Sequence, residues 1–97
     1  MKLQTLDEIS RYLALDKDSL LEKGVETLLK EKKRRVKLDS LGIISRYEVS
    51  SAEELERKIQ EGKLAEHPAW EDLIVLENLE STLEKIDEHL RNLSAAA

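Results

Sequence analysis

The 97-residue chain contains no cysteine and no phenylalanine, one proline, three glycines and only 3% aromatic residues. Without cysteine it can build neither a disulfide framework nor a thiolate zinc site, so nothing opposes an intracellular, reducing location. Its uncharged runs fall far short of the roughly 20 apolar residues a membrane-spanning helix needs. The opening "MKLQTLDEIS" has no apolar signal-peptide core. These absences predict a cytoplasmic protein with no membrane partner. Equally, no glycine-rich phosphate loop occurs and no nucleophile has a base beside it. Clusters of acids such as Glu53, Glu54 and Glu56, or Glu84, Asp87 and Glu88, fall on helix faces expected to be solvated, without the pocket a catalytic carboxylate needs. His67 and Glu71 have the i, i+4 spacing of a helical metal pair, but two ligands are not a site, and His67 reads as an N-cap or turn residue. No catalytic, cofactor or metal residue is therefore expected, and the protein reads as a non-enzyme.

What is present is 40% hydrophobic residues, nearly all Leu, Ile, Val and Ala, against 38% charged residues. That composition favours helices, and the length suits one small domain whose limited core makes a partner subunit valuable. The charge is unevenly spread. Residues 1–47 carry 11 Lys and Arg against 8 acids, whereas residues 48–97 carry 5 against 13. A basic N-terminal part and an acidic C-terminal part point to an acidic face meeting a basic partner, and exclude a uniformly basic nucleic-acid binder.

The expected fold is all-α: short N-terminal helices, a central basic helix, a capped short helix and a long C-terminal amphipathic helix, in an open bundle completed by oligomerisation. Thr5 and Glu8 have capping-box spacing before a helix over residues 6–14, with Leu6, Ile9 and Leu13 on one face. "KLQT" before it is the one stretch that could be extended. Asp16 or Asp18 caps a second helix from about Ser19, lined by Leu21, Val25, Leu28 and Leu29, with Gly24 either a local weakness of about 1 kcal/mol or a point of close helix approach. Helical periodicity continues through Val36 to Ile43 and Ile44, with Gly42 as a potential break. Ser50 with Glu53, or Ser51 with Glu54, starts a third helix of about ten residues, closed by Gly62 in the left-handed C-cap position. Pro68 takes the first position of the last helix, where a proline is best tolerated. Residues 94–97 have nothing to anchor them and should fray.

From Pro68 to Leu93 the last helix is roughly 39 Å long. Leu76, Leu79, Leu83, Ile86, Leu90 and Leu93 follow the 3, 4 alternation of a helix-packing seam. Full burial is worth about 1.5 to 3 kcal/mol for each side chain, so the seam must be covered. Either the upstream helices fold over it, or its end projects and packs on another chain, because the third helix, at roughly 15 Å, is too short to cover it. The flanks Val75, Glu80, Thr82, Asp87 and His89 include no Lys or Arg, which suits a basic partner surface better than a copy of the chain. Candidate partner-binding residues are these six seam residues together with Trp70. Trp70 otherwise serves as an anchor for the turn from Gly62. Lys30, Lys33, Arg34 and Lys37, in the run "KEKKRRVK", are candidate nucleic-acid contacts, although a helix spreads such a run around its circumference.

The stretch "ISRYLALDKDSLLEKGVETLLKEKKRR" resembles the helix, turn, helix portion of ribbon-helix-helix antitoxins. The layout as a whole resembles small prokaryotic antitoxins of toxin-antitoxin systems, with "SRYEVSSAEELERKIQEG" and "EHPAWEDLI" similar to parts of such proteins. The resemblance implies a dimerising N-terminal part and an acidic helical part that wraps and masks a basic toxin such as an RNase. It departs from the pattern in one respect: only Lys2 to Thr5 could supply the DNA-reading strand. The expected function is thus an antitoxin-like interaction module. The alternatives are a structural homo-oligomer built on the same seam, or a DNA-binding regulator acting through residues 30–37.

Overall fold

The computed structural model describes residues 1–96, which form four helices in the order α1 (Leu3–Leu13), α2 (Lys17–Tyr47), α3 (Ala52–Gln60) and α4 (Glu66–Ala96). The all-α expectation holds; among the described residues there is no strand, and "KLQT" runs into α1. Thr5 lies inside that helix, and the residue preceding it, Lys2, makes no side-chain cap. The Thr5–Glu8 capping box is therefore not used. At the far end of α1, Ala14 turns left-handed at φ 56°, and the N–H groups of Ala14 and Leu15 close on the carbonyls of Arg11 and Ser10. This is the bonding pattern of a Schellman cap, made without the usual glycine.

α2 is one continuous helix, as the periodicity running from Ser19 to Ile44 predicts. Asp16 caps it, its Oδ1 accepting from the Ser19 N–H at 2.7 Å. Neither Gly24 nor Gly42 interrupts it. A helix interior tolerates glycine at a cost of about 1 kcal/mol, a local penalty that the packing of a 31-residue element absorbs. The C-terminal carbonyls of Tyr47 and Glu48 accept from the Lys58 ammonium at 3.2 Å each. A cation there complements the negative end of the helix dipole.

Ser51 caps α3 by accepting from the Glu54 N–H at 3.2 Å, while the Glu54 carboxylate reaches back to the N–H and hydroxyl of Ser50. The second of the two proposed capping pairs is thus realised, displaced by one residue on its return bond. Gly62 is left-handed at φ 73°, and the N–H groups of Gly62 and Lys63 bond back to Ile59 and Lys58. His67 has an extended backbone (φ −112°, ψ 127°), so the continuous part of α4 starts at Pro68. The helix then runs on through Ser94 and Ala95 to Ala96, within the stretch where a frayed end was expected; residue 97 lies outside the described residues.

α2 and α4 pair antiparallel along most of their length, α3 caps the end where the chain reverses, and α1 packs on the first turns of α2. The core lies at the reversal: Ile43, Val49, Ala52, Leu55, Ile59, Ala69, Leu73 and Leu76, with Ile44, Tyr47, Leu64 and Leu79 against it. The result is a rod of 61 × 24 × 17 Å with a radius of gyration of 19.5 Å. A compact domain of this length would have a radius of gyration of about 13 Å.

Candidate functional site

The α4 seam is internal. Leu76 and Ile86 are buried, and Leu79, Leu83, Leu90 and Leu93 are half-buried. Of the two expected arrangements it is the first, with an upstream helix folded over the seam, and not the projecting end. The comparison with α3 alone omitted α2, whose 31 residues supply about 46 Å of covering helix.

The acidic flanks are also occupied from within the chain. Asp87 meets the Lys33 ammonium at 2.6 Å, and Glu80 accepts the Ala52 N–H at 2.9 Å, satisfying one of the free donors at the start of α3. Nearer the reversal, the Asp72 carboxylate accepts from Arg46 at 2.9 Å and from the Tyr47 hydroxyl. The hydrogen bond to Asp72 raises the Tyr47 phenol above its ordinary pKa, and the one from Lys33 lowers that of Asp87. The opposite charges of the two halves of the sequence therefore meet inside one molecule.

The basic run is similarly engaged. Lys30 pairs with Glu26 at 2.7 Å, Arg34 with Glu31 at 2.6 Å, and Lys33 with Asp87. Of the four candidate nucleic-acid contacts, only Lys37 has no such pairing among the described residues. Trp70 stands half-exposed at the start of α4, while its neighbours Ala69 and Leu73 are the ones turned into the core. His67 Nδ1 lies 2.8 Å from Glu71 on an exposed surface, and no group of three or more metal-ligating side chains occurs among the described residues.

Leu38 and Leu41 on α2 and Trp70, Ile74 and Val75 on α4 are exposed, but the larger group of exposed apolar side chains is elsewhere. Met1, Leu3, Ile9, Tyr12, Leu13, Leu21, Val25 and Leu28 are all exposed, Leu21 at 68% and Leu28 at 72%. They cluster on α1 and the first turns of α2, at the open end of the hairpin. Leu6, Ile9, Leu20, Leu21, Val25 and Leu28 line a groove between these helices. Gly24 lies in the same groove, with nothing within 4 Å of where a Cβ would stand. The groove is open because α4 packs on a different face of α2, where Leu90 and Leu93 approach Glu22, Glu26 and Lys30. Sequence reasoning placed Leu21, Val25 and Leu28 together on one face but assigned that face no function. Its signal was available: two amphipathic stripes, on α1 and on early α2, with only each other to cover them.

Neither the comparison with curated proteins nor that with solved structures finds a match. The family comparison does, over residues 1–97, and the chain belongs to the family described as "Uncharacterized protein MJ0235 family".

Proposed function

We propose that the protein is a non-enzymatic interaction module whose docking surface is the apolar groove between α1 and the first turns of α2. The observation that carries this reading is that five exposed large apolar side chains, Met1, Ile9, Leu21, Val25 and Leu28, line one groove at one end of the rod. A soluble monomer rarely exposes a contiguous apolar patch beyond a few hundred Å², and larger ones mark interaction sites. The partner-binding role of the antitoxin-like expectation is kept; the surface that performs it is not. The seam of α4 and two of its acidic flanks, which argued for a basic partner, are used to hold α4 on α2 and α3.

The test is photo-crosslinking in the cells that make the protein. A photoreactive residue replacing Leu28 should give a discrete adduct, and one replacing the exposed Glu77 on α4 should not. No adduct at position 28 above the level seen at position 77 would remove the reading.

A further inference from the structure

We infer that the occupant of the groove is a second copy of this chain, joined end to end about a two-fold axis so that α1 and early α2 of both protomers form one four-helix junction. The inference rests on the docking role proposed for this groove and identifies what fills it.

Surface area is the first argument. A compact monomer of 11.1 kDa exposes about 5,700 Å², and this chain exposes 7402 Å². The excess, on the order of 1,700 Å², is about twice what each partner contributes to a standard interface and lies in the range of obligate homodimers. A single protomer therefore has the surface of a subunit.

Charge is the second. Residues 1–28 carry four basic and six acidic side chains, interspersed: Lys2, Arg11, Lys17 and Lys23 among Asp7, Glu8, Asp16, Asp18, Glu22 and Glu26. A partner of one strong sign would meet its own sign at this rim as often as the opposite. A copy brings the same mixture, and a two-fold axis lets each cation meet an anion of the other chain, as isologous interfaces do. Lys17 and Asp7 already pair at 2.7 Å across α1 and α2, so it is the other rim charges that the copy meets.

Position is the third. The groove lies at the open end of the hairpin, where a two-fold axis extends the rod and does not thicken it. Overlap of early α2 with its copy over about 12 residues is roughly 18 Å. Two protomers of 61 Å then give a particle of about 100 Å.

Sedimentation equilibrium and small-angle X-ray scattering on the full chain test this. The expected results are twice the 11.1 kDa mass at micromolar concentration and a maximum dimension near 100 Å for the unmodified protein. Leu21→Glu combined with Leu28→Glu should return the monomer mass with unchanged helicity, and Trp70→Glu with Ile74→Glu, at the other end of the rod, should leave the dimer intact. A dimer no longer than one protomer, or one lost through the Trp70 and Ile74 variant, would overturn the end-to-end assignment; the scattering result needs no variant to fold. A wild-type monomer at 100 times micromolar concentration overturns the second copy. If position 28 still crosslinks to a different protein in cells, the docking role survives that failure; if it crosslinks to nothing, both fall.

Discussion

Lys33 and Asp87, 54 positions apart, meet at 2.6 Å and tie the middle of α2 to the last third of α4. With Arg46 and Asp72 at 2.9 Å nearer the reversal, they set one antiparallel register for the hairpin. Reversing either charge alone places like charges together, so Lys33→Asp or Asp87→Lys should lower the thermal midpoint. The double reversal should recover most of the loss. Calorimetry of the three variants checks it, and a double variant no better than the worse single one would mean the pair does not define the register.

The shifted groups predict opposite effects at the two ends of the pH scale. Hydrogen bonds from Lys33, from Ser50 and from Ser19 hold Asp87, Glu54 and Asp16 below their ordinary pKa values. The unfolded chain therefore takes up protons first, and this stability is present above about pH 4 and lost as pH falls through the lower folded values. Tyr47 behaves in the opposite sense: its hydrogen bond to Asp72 raises the phenol, so its contribution is complete below about pH 10 and is lost as pH rises through the folded value. Urea midpoints followed across pH should fall on both limbs. Asp87→Asn should flatten the acid limb and Tyr47→Phe the alkaline one.

Two leucines separate fold from surface. Leu76 is fully buried, at 0% exposure, in the core beneath α3. Leu76→Ala should cost about 2–5 kcal/mol, because the cavity adds to the lost transfer energy. Leu28, at 72% exposure, should cost within about 0.5 kcal/mol when replaced by Ala in a dilute, monomeric sample. Urea unfolding compares them directly. A similar loss from both would mean that Leu28 is covered within the protomer.

Ser40 of α2 is buried, and its Oγ has no hydrogen-bond partner among the described residues. A buried polar atom left unpaired costs about 1–3 kcal/mol, and alanine is the better helix former. Ser40→Ala should therefore raise the unfolding free energy by about 1 kcal/mol. A decrease would show that the hydroxyl is satisfied in solution.

Strain at the end of α2 gives a similar expectation. Glu48 adopts φ 53°, a left-handed conformation for which a side chain costs roughly 1 kcal/mol relative to glycine. Glu48→Gly should stabilise the protein by about that amount, less the entropy glycine gains on unfolding. Denaturant titration measures the balance.

By itself the sequence determined the local structure wherever a few neighbouring residues are sufficient. Asp16 before its helix, Ser51 with Glu54, Gly62 after α3 and Pro68 opening the continuous part of α4 all act within one turn, through backbone groups that must be capped or avoided. The 3, 4 spacing from Leu76 to Leu93 was equally plain, because one helix carries it. What covers that seam was decided only by tertiary structure. The answer depended on α2 continuing past Gly24 and Gly42, and each glycine's small local cost is outweighed by packing that a local reading does not see. The pairing of charge between the two halves was hidden for the same reason: Lys33 and Asp87 are far apart in the chain and adjacent in space. Once α2 was committed to α4 along one face, the stripe of Leu21, Val25 and Leu28 was left facing outward with α1, and the candidate interaction surface moved to the other end of the molecule.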